Sequence, residues 1–201
     1  MSECNSGCEE CKSRESCGIR KAPLNKESSI HKIIGIISGK GGVGKSTVTA
    51  LIARRLASMG YSVGIMDADV TGPSVPAMFG ILGKVLSDEN GIYPMVSQEG
   101  IKIISMNLLL DSEETPVIYR GPVVASIIKQ FYSDVIWGNL DYLLIDMPPG
   151  TGDVPLTVYQ SIPIDGVVMV TSPQNLVKMI VMKAVNMASK MSVPLLGIIE
   201  N

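Results

Sequence analysis

The sequence predicts an α/β fold, a mostly parallel central sheet with helices on both faces. Three observations predict it. From Lys32 onward, short apolar runs alternate with segments of helical character, the signature of parallel β-α units. A glycine-rich loop, Gly39 to Gly44, separates the first apolar run from the first helical segment. Two apolar runs end in aspartate, Ser62 to Met66 before Asp67 and Tyr142 to Ile145 before Asp146. Carboxylates at the C-terminal ends of parallel strands face the crevice where such sheets bind ligands.

The elements follow in order. Residues 1–30 are polar and aperiodic, and read as a flexible cysteine-rich arm; residues 31–201 form the domain. His31, the single histidine, is an ordinary polar residue at a strand edge. Ile33 to Ile37 is the first strand and Ser46 to Met59 the first helix, followed by the strand Ser62 to Met66. Ile92 to Val96 and Ile101 to Met106 read as a hairpin around Ser97-Gln98-Glu99-Gly100. Pro122 suits the first position of a helix running to Tyr132. Tyr142 to Asp146 is a buried strand, and Asp153 is placed to cap the next helix. Gly166 to Thr171 is a strand, Leu176 to Lys190 a helix and Leu195 to Ile199 a strand. Met179, Met182, Met187 and Met191 recur along that last helix, as core filler or, alternatively, as an adaptable partner surface.

Composition narrows the function. The chain has 201 residues, 46% of them apolar and 18% charged, enough for one sizeable core. A formal net charge of −2 without a basic block argues against nucleic-acid binding. No apolar run is long enough to span a bilayer, and the first residues carry cysteines and glutamates where a signal peptide needs an apolar stretch. The expectation is a cytoplasmic protein that binds neither membrane nor nucleic acid.

The stretch Gly39-Lys40-Gly41-Gly42-Val43-Gly44-Lys45-Ser46-Thr47 fits G-x-x-x-x-G-K-[ST] in full, between a strand and a helix as a phosphate-binding loop requires. Glycines admit positive φ and let the backbone approach phosphates closely. The amides of Gly41, Gly42, Val43, Gly44, Lys45, Ser46 and Thr47 would form an anion-binding nest at a helix N-terminus. Lys45 would reach the β- and γ-phosphates of ATP, and the Ser46 hydroxyl would ligate Mg2+, a hard ion that takes oxygen. A glycine turn that binds nothing is the alternative, and the flanking strand and helix argue against it.

Two further aspartates lie in turn-forming sequence, Asp67-Ala68-Asp69-Val70-Thr71-Gly72-Pro73-Ser74. Beside a phosphate loop, Asp69 would orient the attacking water and accept its proton, and Asp67 would hold Mg2+ through water. Asp146 has the Walker B form and would stand at the Mg2+ edge. Behind it, Met147-Pro148-Pro149-Gly150-Thr151-Gly152-Asp153 would change shape when γ-phosphate leaves, with Gly150 offering its N–H to that phosphate.

All four cysteines fall in Cys4-x3-Cys8-x2-Cys11-x5-Cys17. A disulfide knot suits a reducing compartment poorly. Zinc prefers two close pairs separated by a longer loop. A cuboidal iron–sulfur cluster takes four thiolates from a compact loop, and the spacing favours it while zinc or no stable metal remain open.

Several strings together resemble the Mrp/Nbp (ApbC-like) family of iron–sulfur carrier P-loop ATPases, within the deviant Walker A (MinD/ParA-type) superclass. They are the loop from Gly39 to Thr47, Asp67 to Ser74, Arg120-Gly121-Pro122, Trp137-Gly138-Asn139-Leu140-Asp141-Tyr142 running into Asp146 to Asp153, Thr171-Ser172-Pro173-Gln174 and Glu200-Asn201. The resemblance implies a slow ATPase, converting ATP and water to ADP and phosphate, that works as a homodimer. It implies that Lys40 reaches across to the partner's nucleotide and that Asn201 contacts adenine. It further implies that the chain holds an iron–sulfur cluster, of 4Fe-4S type, and delivers it to apo-proteins. The family pattern continues into a C-terminal Cys-x-x-Cys, so the sequence reads as a fragment or a shortened form. Relatives also carry an aspartate after the Thr171-Ser172-Pro173-Gln174 string, where this chain has Lys178-Met179-Ile180-Val181.

Other functions fit less of the sequence. A MinD/ParA-like positioning ATPase with an accessory metal-binding arm shares Lys40, Lys45 and Asp146 but leaves four cysteines unexplained. An electron-transfer ATPase would need cysteines near the switch loops, and none follows Cys17. No Asn-Lys-x-Asp for guanine is present.

Overall fold

A computed structural model describes residues 21–69, 74–109, 121–173 and 177–201. The organising element is a seven-stranded sheet of order β5-β6-β2-β7-β1-β8-β9. Its strands are β1 (Ser29–Ser38), β2 (Val63–Asp67), β5 (Met95–Val96), β6 (Lys102–Ile104), β7 (Asn139–Asp146), β8 (Gly166–Thr171) and β9 (Leu195–Glu200). All neighbours pair in parallel except the edge strand β5, which runs antiparallel to β6. A separate two-stranded ribbon pairs β3 (Leu86–Asp88) with β4 (Gly91–Tyr93).

Helices cover both faces, as the alternating sequence predicts. The period-two geometry of a strand sends successive side chains to opposite faces. In β7, Leu143 and Ile145 enter one core and Leu144 the other. The first core gathers α3 (Gly121–Ser133), α4 (Asp153–Ser161) and α5 (Val177–Lys190), through residues such as Phe131, Val158 and Ala184. The second gathers α1 (Lys45–Ser58) and α2 (Val75–Met78) over Ile65, Ile103 and Leu144. Met182 is half exposed, whereas Met187 and Met191 pack against the first core. The core-filler reading thus holds for only part of the methionine stripe.

Gly64 in β2 lets the first core close. A Cβ there would lie 2.7 Å from Leu140 Cδ1 and 3.0 Å from the Trp137 ring. Trp137 is fully buried and donates its indole N–H to the Phe131 carbonyl at 3.1 Å.

Three boundaries differ from the sequence reading. Residues 21–28, expected in the flexible arm, lie against the domain: Lys21 Nζ donates to the Tyr159 and Ile162 carbonyls, and Ala22 and Leu24 pack on the first core. The expected hairpin of Ile92 to Val96 with Ile101 to Met106 shrinks to β5 and β6, because Ile92 pairs within the separate β3–β4 ribbon. At α4 the capping position belongs to Gly152, whose extended backbone (φ −76°, ψ −167°) needs no side chain, and Asp153 sits in the first turn. An acid there still faces the positive end of the helix dipole.

Candidate functional site

The site lies at the C-terminal edge of the sheet, where chain order and strand order part company. β1 and β2 follow one another in sequence, yet β7 is inserted between them. Connections leaving β1, β2 and β7 therefore surround a common crevice, as expected at such a reversal. Its wall is the glycine loop. Gly42 and Gly44 hold φ of 76° and 82°, a region open to glycine at little cost, and Lys45 begins α1 with no side-chain cap. A cavity of about 270 Å3 opens here. Lys40, Gly41, Gly42, Gly44, Lys45, Ser46, Thr47 and Asp69 line it, joined by Ser38 and Pro149 from the flanking segments. Val43 points away into a small core with Ile36 and Val170.

Beneath the loop, polar side chains converge on one carboxylate. Asp146, fully buried at the end of β7, pairs with Lys45 Nζ at 2.7 Å. It also accepts hydrogen bonds from the hydroxyls of Ser46 at 2.6 Å and Thr49 at 2.8 Å. The single Thr49 hydroxyl hydrogen is shared between Asp146 and the Lys45 carbonyl, 3.1 Å away and one turn back along α1. Three donors offset the cost of burying this charge.

Asp67 stands beside Asp146, the two paired in register across β2 and β7. It accepts the Asp69 N–H at 3.1 Å and the Ser105 hydroxyl at 3.2 Å. Burial first and the negative charge of Asp146 second raise its carboxyl to about 7, against the opposing pull of the Asp69 amide, Lys45 and Ser105. Two buried carboxylates side by side make a place where a cation relieves repulsion.

The remaining expected residues sit close by. Gly150 has φ of 84° and donates its N–H to the Ser38 carbonyl at 2.9 Å, which ties the loop after β7 to the end of β1. Asn201, just past β9, donates its side-chain amide to the Val43 carbonyl at 3.0 Å, at the outer side of the glycine loop. Cys4, Cys8, Cys11 and Cys17 lie outside the described residues, as do 70–73 and Arg120. Among the described residues, no three His, Cys, Asp or Glu side chains converge as a metal site on their own.

Thr49 and Ser105 join the site without a motif to announce them. Thr49 carried one signal: it lies four residues after Lys45, on the same helix face. Ser105 had none, because only the pairing of β6 with β2 brings it to Asp67.

Residues 29–201 match the family model described as ParA, the NUBPL iron-transfer P-loop NTPases. The chain belongs to that family. An iron-sulfur cluster carrier protein from Methanocaldococcus jannaschii is 48% identical over the whole of this chain and 73% of its own length. One from Clostridium perfringens is 53% identical over 86% of this chain and 64% of its own length. A nucleotide-binding protein from Archaeoglobus fulgidus, solved in complex with ADP and with Co, superimposes with a TM-score of 0.76. It is 48% identical, and the match covers 86% of this chain and 67% of that one. The cell-division ATPase MinD from Pyrococcus furiosus shares the fold with a TM-score of 0.61, at 23% identity over 84% of this chain and 70% of that one. This iron-transfer NTPase thus has the MinD-like fold, while its family and its more similar relatives favour cluster carriage over the positioning alternative. No helix among its described residues is long and apolar enough to cross a membrane.

Proposed function

We propose that this chain is a slow, cytoplasmic ATPase that acts as a homodimer, carries an iron–sulfur cluster and hands it to apo-proteins. The observation that carries the nucleotide half is the meeting of Lys45 and Ser46, from the glycine loop, with Asp146 at a strand end 100 residues later. Membership of an iron-transfer family and the compact cysteine spacing support the cargo half.

The donor set fits Mg2+. Ser46, Asp67 and Asp146 offer hard oxygens, and two of them are neighbouring buried carboxylates. Bound there, the ion would neutralise charge on the β- and γ-phosphates. Lys45 would exchange its Asp146 partner for phosphate oxygens, and the loop amides from Gly41 to Thr47 would hold the triphosphate. Asp69 orients the attacking water and takes its proton as the bond between the γ-phosphorus and the ADP oxygen breaks. Lys40 acts on the partner's nucleotide and Asn201 contacts adenine, while Gly150, whose N–H is held by the Ser38 carbonyl, stands beside the γ-phosphate without donating to it. No covalent intermediate is needed, since positioning and charge neutralisation suffice.

Cys4, Cys8, Cys11 and Cys17 would hold the cargo, a 4Fe-4S cluster. Anaerobic reconstitution with iron and sulfide tests it. Cluster absorbance is expected in the full chain and lost in Cys8→Ala/Cys11→Ala. A chain that takes up no iron and sulfide, or a variant that takes up as much as wild type, overturns the cargo assignment.

A further inference from the structure

Ser38 is the last residue of β1 and is 1% exposed, yet its hydroxyl has no hydrogen-bond partner. Buried hydroxyls are almost always paired, so an unpaired one calls for a partner. Ser38 lines the cavity together with Lys40, Lys45 and Asp69. Ser172, the other such hydroxyl among the described residues, does not line it. The Ser38 backbone has a second attachment: its carbonyl accepts the N–H of Gly150 at 2.9 Å. Pro149, next to that glycine, lines the same cavity. Ser38 therefore carries an unpaired, buried hydroxyl at the edge of the cavity, and its carbonyl holds the loop after β7.

We propose that the Ser38 hydroxyl is a ligand of the terminal phosphate and that Ser38 couples the presence of that phosphate to the loop 147–152. The inference rests on the ATPase reading above. With the triphosphate seated, the hydroxyl donates to a γ-phosphate oxygen and fixes the end of β1, which keeps the Gly150 link in place. When the γ-phosphate leaves as inorganic phosphate, the donor loses its acceptor and the loop is released. A hydroxyl at this position discriminates ATP from ADP, because only the former supplies the acceptor.

The test uses the full chain and four proteins: wild type, Ser38→Ala, Ser38→Cys and Ser38→Thr. Steady-state turnover and ADP affinity are measured. Amide hydrogen exchange over residues 146–153 is followed with ADP and with a non-hydrolysable ATP analogue. In wild type the analogue protects this segment more than ADP does. Ser38→Ala is expected to keep ADP affinity, lose about tenfold or more in kcat and show the same exchange with both nucleotides. Ser38→Cys keeps the size of the side chain with a weak donor and behaves like Ser38→Ala. Ser38→Thr keeps the hydroxyl and restores both readouts. Wild-type kcat and a wild-type exchange difference in Ser38→Ala and Ser38→Cys overturn the inference and leave the ATPase reading standing. A wild-type chain that binds no ATP removes both.

Discussion

Lys45 and Asp146 form an ion pair 2.7 Å long in which the lysine is 7% exposed and the aspartate fully buried. The pair joins the glycine loop to the central strands before any nucleotide chemistry is considered. Breaking a buried pair leaves one charge uncompensated, at a cost of about 3 kcal/mol or more. Lys45→Ala should therefore lose stability as well as nucleotide binding. Urea denaturation and ATP titration on the same preparation check this. A variant with unchanged stability would show that Asp146 is held by Ser46 and Thr49 alone.

Asp67 predicts a stability that depends on pH. Its folded carboxyl is raised from an ordinary 3.8 to about 7, by burial first and by Asp146 second. The folded state therefore holds a proton that the unfolded chain releases. Its contribution to stability is fully present below about pH 4 and is lost as pH rises towards 7. Asp67→Asn mimics the protonated form and should escape this loss. In metal-free buffer, its melting temperature should gain on wild type progressively from pH 5 to pH 8. A difference independent of pH would place the titration elsewhere.

The central machinery was legible because it is local or strand-terminal. The glycine loop depends on the spacing of consecutive residues, and Asp67 and Asp146 announce themselves as acids ending apolar runs. The α/β alternation gave the parallel sheet for the same reason. Residues brought in by non-local register stayed hidden: Ser105 reaches Asp67 only through β6–β2 pairing, and Ser38 gains interest only from what its hydroxyl lacks. The β3–β4 ribbon escaped because β3 is short and fully exposed, and Ile92 of β4, which packs on the first core, reads as the start of the next hairpin. Lys21 and Ala22 escaped because backbone carbonyls at the end of α4, rather than an apolar pattern, hold them.

Thr49 had only its spacing from Lys45 to mark it as a site residue, and it supplies the next test. Its hydroxyl bridges the Asp146 carboxylate and the Lys45 carbonyl. Thr49→Val keeps the shape and removes the donor. Hydrogen bonds to charged groups contribute about 1.5–3 kcal/mol, so the loss should be visible in urea denaturation. The carboxylate would also turn more freely, so half-maximal turnover should require more Mg2+ while ADP affinity measured without metal changes little. An unchanged Mg2+ requirement would reduce Thr49 to a packing residue.

Lys40 allows a test of the proposed homodimer. It lines the same cavity as Lys45, so position within one chain leaves its action in cis or in trans undecided. Charge supplied from a partner in phosphoryl transfer contributes roughly 10³–10⁵ in rate, so Lys40→Ala should bind ATP and fail to turn it over. Lys45→Ala should fail for a different reason, having lost its own nucleotide. Mixing the two inactive proteins separates the possibilities. If Lys40 serves the opposite subunit, a mixed dimer contains one whole site: the Lys40→Ala subunit binds ATP through its own Lys45 and receives Lys40 from its partner. Turnover should then reappear on mixing and rise with the square of total concentration when dimers are dilute. A mixture as silent as its components would count against Lys40 acting across a dimer.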